Sequence, residues 1–174
     1  MLRQDVEPRP LLLGGGQERG LRSGTQNVAG AVGLAAALER AEISRAAALE
    51  QFETLRQRFL AGLERISGAR ALGAGVRTAP WIVAVELEGP PAEVHMHHLE
   101  SRGVWVSAGS ACQTAKGELS PTLTALGLAP DAARRVLRFS FGRTTTASEI
   151  DAALEALAAV ERELTTLRGG RVAR

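Results

Sequence analysis

The sequence predicts a single sandwich of α/β or α+β class, with helices laid against one small sheet. Three observations carry that prediction. Candidate elements follow one another as α-α-β-α-β-α-β-α, with no linker and no internal repeat. Residues 81–87 (W-I-V-A-V-E-L) and 136–141 (V-L-R-F-S-F) have the branched and aromatic content of strands. Around them lie runs whose apolar residues recur at helical spacing. At 174 residues and 45% apolar content, the chain is long enough to bury such a core.

In chain order, residues 1–13 are polar and broken by prolines, and Leu11-Leu12-Leu13 then leads into Gly14-Gly15-Gly16. The stretch 14–27, G-G-G-Q-E-R-G-L-R-S-G-T-Q-N, is neither of the two best-known glycine fingerprints. Arg19 stands where a dinucleotide fold needs its third glycine. Leu21-Arg22 replace the Lys-Ser/Thr of a P-loop. What remains is a glycine-rich loop with two arginines, ending in Thr25 just before a helix. Amides and a hydroxyl at a helix start suit an anion such as phosphate. A capped flexible loop with no ligand is the plainer alternative.

Residues 25–39, alanine-rich with Val28, Val32 and Leu34, are compatible with a closely packed helix. Phe52, Leu55, Phe59, Leu63 and Ile66 mark a second helix, which Gly68 stops. Pro90-Pro91 open a short helix carrying His95, His97 and His98. No cysteine or carboxylate stands at ligand spacing from them, so a partly exposed helix face is expected there, not a metal site. Residues 104–106 make a short strand. Pro121 to Leu126 is a helix and Asp131 to Arg135 a helical turn. In the strand 136–141, alternation puts Leu137, Phe139 and Phe141 on one face and Arg138 and Ser140 on the other. A guanidinium in so apolar a strand asks for an anionic partner, and a carboxylate is the natural one. An edge-strand arginine reaching water is the alternative. The last helix opens on the capping box Thr146-Ala147-Ser148-Glu149 and carries the core stripe Ile150, Leu154, Leu157, Val160, Leu164 and Leu167.

Composition removes several function classes. The formal charge is +2, no basic block is present and aromatic residues are 3% of the chain, which argues against nucleic-acid binding. No apolar run reaches membrane-spanning length, and charges occupy the place of a signal peptide's apolar region. A single cysteine rules out an internal disulfide and fits a reducing cytoplasm.

That cysteine, Cys112, and the only lysine, Lys116, fall within V-S-A-G-S-A-C-Q-T-A-K-G-E-L-S-P at 106–121; the other 20 of the 21 basic residues are arginine. Small residues precede the thiol and a polar, glycine-containing run follows it. A mobile loop presenting a thiol is written this way. A nearby cation and the helix start at Ser120-Pro121 would both favour thiolate. A small core side chain is the alternative reading of a lone cysteine.

Three pieces in this order, G-G-G-Q-E-R-G-L-R-S-G-T at 14–25, V-S-A-G-S-A-C at 106–112 and R-F-S-F-G-R at 138–143, together resemble the cysteine desulfurases. These are pyridoxal-phosphate (PLP) enzymes of fold type I in the class-V aminotransferase superfamily. Ser120-Pro121 and Leu126-Gly127-Leu128 fit as well, and the match runs from about Leu11 to Leu157. The resemblance implies the C-terminal portion of such an enzyme: a small, mostly antiparallel sheet packed against helices and preceded by a long interface helix. It divides the chain into residues 1–40, a glycine-rich interface segment with the start of that helix, and 41–174, the small domain carrying the cysteine loop.

The resemblance also implies roles. Cys112 corresponds to the nucleophile that takes sulfur from L-cysteine, leaving L-alanine and an enzyme persulfide. Arg138 corresponds to the group that grips the substrate carboxylate. Thr25 corresponds to the contact with the PLP phosphate of the second subunit of a homodimer. The family's Schiff-base lysine lies upstream of the glycine-rich loop, in a lobe this chain does not carry, so the chain by itself is expected not to turn over. A sulfur-acceptor protein is implied, with iron–sulfur assembly, tRNA thiolation and specialised pathways all open. Leu13 in place of histidine and Gln113 in place of Ser or Thr are small departures. The contrasting function is non-enzymatic: a standalone domain that binds a partner or passively accepts sulfur on Cys112.

Overall fold

The computed structural model describes residue 6 and residues 8–73, 75–108 and 120–169. It divides into two compact units, Met1–Ala46 and Ala47–Arg174.

In the first unit, a tight turn at Glu18–Gly20 precedes helix α1 (Val28–Ile43). The loop before α1 folds on itself. The Ser23 amide donates to the Leu12 carbonyl, and the Gly24 amide donates to Gln17 Oε1 at 3.2 Å. Gly16 and Gly20 sit at φ +77° and +80°, a region open to glycine without strain. Helix α1 is capped by Asn27, whose Oδ1 accepts from the Gly30 amide at 2.9 Å. No residue of α1 is buried; Val28, Val32, Leu34 and Leu38 are all more than half exposed. The single helix expected over 25–39 therefore starts three residues later and runs to Ile43. Ser44 then breaks it from helix α2 (Arg45–Leu63).

The second unit is built on four strands among the described residues: β1 (Ala69–Ala71), β2 (Ile82–Leu87), β3 (Ser107–Ala108) and β4 (Val136–Ser140). They pair in the order β1-β2-β4-β3, and every pairing is antiparallel, as the family resemblance implied of the sheet. Strand β1, Ala-Arg-Ala, has no sequence pattern of its own and was not foreseen. The strand expected at 104–106 is shifted, with its ladder at Ser107 and Ala108.

Helices α3 (Ala92–Glu100) and α6 (Ala147–Gly169) join α2 around one face of this sheet. Phe59 of α2 is fully buried there, with ring centroids 4.8 Å from Phe139 and 5.7 Å from Phe141. Val83, Val85, Leu87, Leu137, Leu157 and Val160 complete the centre of the core. The period-2 pattern of the strands and the helical stripe of α6 thus meet as the sequence requires. Among the described residues, the other face is covered at one end. There Val136 packs with Leu72, Leu123 and Ala133, the last two delivered by the short helices α4 (Pro121–Ala125) and α5 (Pro130–Ala133).

The histidine helix corrects one expectation. His97 and His98 are exposed or half exposed, but His95 is fully buried and faces Glu161 of α6. The rotation of α3 that buries Leu99 against the core carries His95, one turn earlier, to the same side. No helix among the described residues is long and apolar enough to cross a membrane.

Candidate functional site: an arginine on the open half of the sheet

Strand β4 lies inside the sheet, between β2 and β3, so the reading of Arg138 as an edge-strand residue does not hold. Its neighbours in register are Ala84 on β2 and Ser107 on β3. Leu137 and Phe139 point into the core, and Arg138 and Ser140 point to the face that α4 and α5 leave open. Arg138 is exposed, and its Nη2 donates to Ser107 Oγ at 3.2 Å. Among the described residues no carboxylate pairs with it. A guanidinium has five N–H donors in a planar fork, so most of its donors remain for a ligand.

The residues around Arg138 are ordered by the same alternation. Val104, Val106 and Ala108 pack on the core. Trp105 and Ser107 therefore stand on the opposite face, with Arg138. Trp105 is 78% exposed. Ile82, paired with Ser140, edges the same open area from β2. Ser107 and Trp105 were not singled out from sequence as site residues. The inward run Val104, Val106, Ala108 is the signal that could have found them.

Ser107 and Ala108 end the described chain before the segment 109–119. Cys112 and Lys116 lie outside the described residues. On the far side, Pro121 occupies the first position of α4 with Ser120 as its cap residue, although the Ser120 side chain makes no capping bond.

Thr25 belongs to the first unit. It is exposed and precedes the true cap, Asn27, by two residues. The Arg22 guanidinium folds back along the loop, donating to the carbonyls of Ser23 at 3.0 Å and Thr25 at 3.5 Å. The guanidinium is thereby held against the backbone of the same glycine-rich turn that carries Thr25.

Residues 6–153 match the model of the Aminotransferase class-V family. The chain belongs to that family. Within it, this class-V aminotransferase chain is 35% identical over 163 residues to a cysteine desulfurase of Rhodobacter capsulatus, covering 94% of the chain and 42% of that protein. It is 34% identical over 163 residues to the cysteine desulfurase IscS of Methanosarcina thermophila, covering 94% and 40%. Among solved structures, a NifS-like protein superposes with a TM-score of 0.78 at 32% identity, covering 94% of the chain and 41% of that structure. A NifS-like protein from Rickettsia africae gives 0.71 at 25% identity, covering 89% and 40%. The class-V aminotransferase chain thus spans about two fifths of the length of the relatives it matches.

Proposed function

We propose that the chain is the C-terminal portion of a PLP-dependent cysteine desulfurase. In that reading it converts L-cysteine to L-alanine and collects the sulfur on Cys112. The observation that carries the proposal is Arg138: an exposed cation on an interior strand, without a carboxylate partner among the described residues. Its Ser107 partner lies five residues before Cys112. A carboxylate-bearing substrate satisfies that guanidinium.

The residues of this chain divide the work simply. Arg138 holds the carboxylate of the donor amino acid and fixes its orientation. Cys112, as thiolate, attacks the donor's sulfur; an S–S bond forms as the carbon–sulfur bond breaks. The carbon takes up a proton, so cysteine and enzyme thiol become alanine and enzyme persulfide with no outside oxidant. PLP, when bound, supplies the electron sink that makes the carbon–sulfur bond labile. Thr25, beside the loop around Arg22, would meet the phosphate of the cofactor held by the second subunit. The described residues offer no amine for a Schiff base: the one lysine, Lys116, sits in the cysteine's own segment. The chain alone therefore does not turn over. A second subunit in a homodimer, a sulfur-acceptor protein and a cytoplasmic setting belong to the same proposal.

Incubating the purified chain with PLP and L-cysteine should release no alanine. Fusing it behind the PLP-binding lobe of a related desulfurase should restore alanine release. A fusion that binds PLP yet makes no alanine overturns the proposal.

A further inference from the structure

We propose that Trp105 determines which donor amino acid is accepted, by receiving the donor's side chain beside Arg138. The inference rests on the carboxylate role given to Arg138 above, and it adds a residue that neither motif nor family match marks.

The geometry begins with β3 and β4. Ser107 stands opposite Arg138 in register, and Trp105 lies two residues earlier in the chain, exposed between the inward-packed Val104 and Val106. Two residues of chain span at most about 7 Å, which leaves the indole within reach of the guanidinium that Ser107 bonds. The inward packing of Val104, Val106 and Ala108 leaves the Trp105 side chain no place in the core. Helices α4 and α5 cover the Val136 end of this face and stop short of the Arg138 end. A large aromatic surface, 78% exposed, is thus presented close to a guanidinium that has no carboxylate partner among the described residues.

A ligand that satisfies both groups carries a carboxylate at one end and an apolar or soft group a few bonds away. An α-amino acid has that form, and a thiol suits an indole better than a methyl does. Sulfur is polarizable and makes favourable contacts with aromatic rings at about 5 Å. Trp105 therefore favours a sulfur-bearing donor over its desulfurated product. It holds substrate more tightly than it holds alanine.

The test uses the 15N-labelled 174-residue chain under reducing conditions. NMR follows the indole Nε1–H signals of the two tryptophans and the Nε–H signal of Arg138. Trp105→Phe and Arg138→Gln assign them. L-cysteine is expected to shift both the Arg138 and Trp105 signals saturably. L-alanine should shift Arg138 alone, and cysteamine, which lacks the carboxylate, neither. Trp105→Ala removes an exposed side chain, so the fold is kept. It should weaken cysteine about two- to tenfold, the range of a sulfur–aromatic contact, and leave alanine unchanged. A Trp105 signal unmoved at saturating cysteine overturns the inference, as does a variant that weakens both amino acids equally. Silence of Arg138 toward both amino acids overturns instead the carboxylate reading beneath it.

Discussion

His95 Nε2 lies 3.0 Å from Glu161 Oε1, with the histidine fully buried and the carboxylate nearly so. The approach is within ion-pair range, but its angle falls outside hydrogen-bond geometry. The contact ties α3 to α6, and Arg102 Nη2 meeting Glu163 Oε1 at 2.5 Å ties the end of α3 to the same helix. Just beyond lies Gly103, and after it the run that places Trp105 and Ser107. Glu161→Ala should leave the buried Nε2 of His95 without its polar neighbour and destabilise the protein by about 1–3 kcal/mol. Urea denaturation measures the loss. An unchanged midpoint would show that the pair does not hold α3.

Acid should weaken the start of α6 before it weakens the core. Glu149 is held below the ordinary carboxylate range, first by the Thr146 backbone amide at 2.7 Å and then by the Thr146 hydroxyl. Asp151 is lowered too, chiefly by its two hydrogen bonds from the Arg58 guanidinium at 2.6 Å each. A depressed folded-state pKa contributes stability that is present above the unfolded value, about 4, and is lost as pH falls through the folded value. Stability should therefore decline as pH falls below about 4. In Glu149→Gln and Asp151→Asn that part of the decline should be smaller. Thermal melts of the three proteins from neutral to acid pH provide the comparison, and identical slopes would contradict it.

Helix α1 buries none of its 16 residues, so it lacks the tertiary packing that stabilises most protein helices. Its exposed apolar residues favour association with a partner surface. In the monomeric chain its amides should exchange much faster than those of α6, which buries Ile150, Leu157, Val160 and Leu164. Hydrogen exchange read by mass spectrometry gives the answer directly. Equal protection of the two helices in a monomer would be the contrary result.

Arg138→Gln, placed in the fusion with a PLP-binding lobe, should raise KM for L-cysteine. Losing a charge-assisted hydrogen bond corresponds to about 10- to 100-fold, with a smaller change in kcat. Steady-state kinetics separates the two parameters. An unchanged KM would remove Arg138 from substrate binding.

Much of the fold was legible because side-chain period is local. Leu137, Phe139 and Phe141 against Arg138 and Ser140 could be sorted by alternation alone, and the α6 stripe by its 3.6-residue spacing. What was not legible depends on distant partners. Nothing near His95 in sequence announces Glu161, 66 positions on. Ala69–Ala71 is a strand only because β2 offers it a ladder. The interior place of β4 follows from β3 pairing on its outer side, which no local pattern encodes. Asn27, not Thr25, caps α1, although the two are close enough for either to be read as the start. Trp105 read as strand content, and only the inward packing of its neighbours turns it to the arginine's face.

The central claim is that sulfur from L-cysteine comes to rest on Cys112. Peptide mapping of the fused enzyme after turnover tests it most directly. The account predicts one reductant-labile sulfur atom on the peptide containing Cys112. Cys112→Ala should carry none, with the fold intact. Sulfur recovered on the protein in equal amount from Cys112→Ala would contradict the claim.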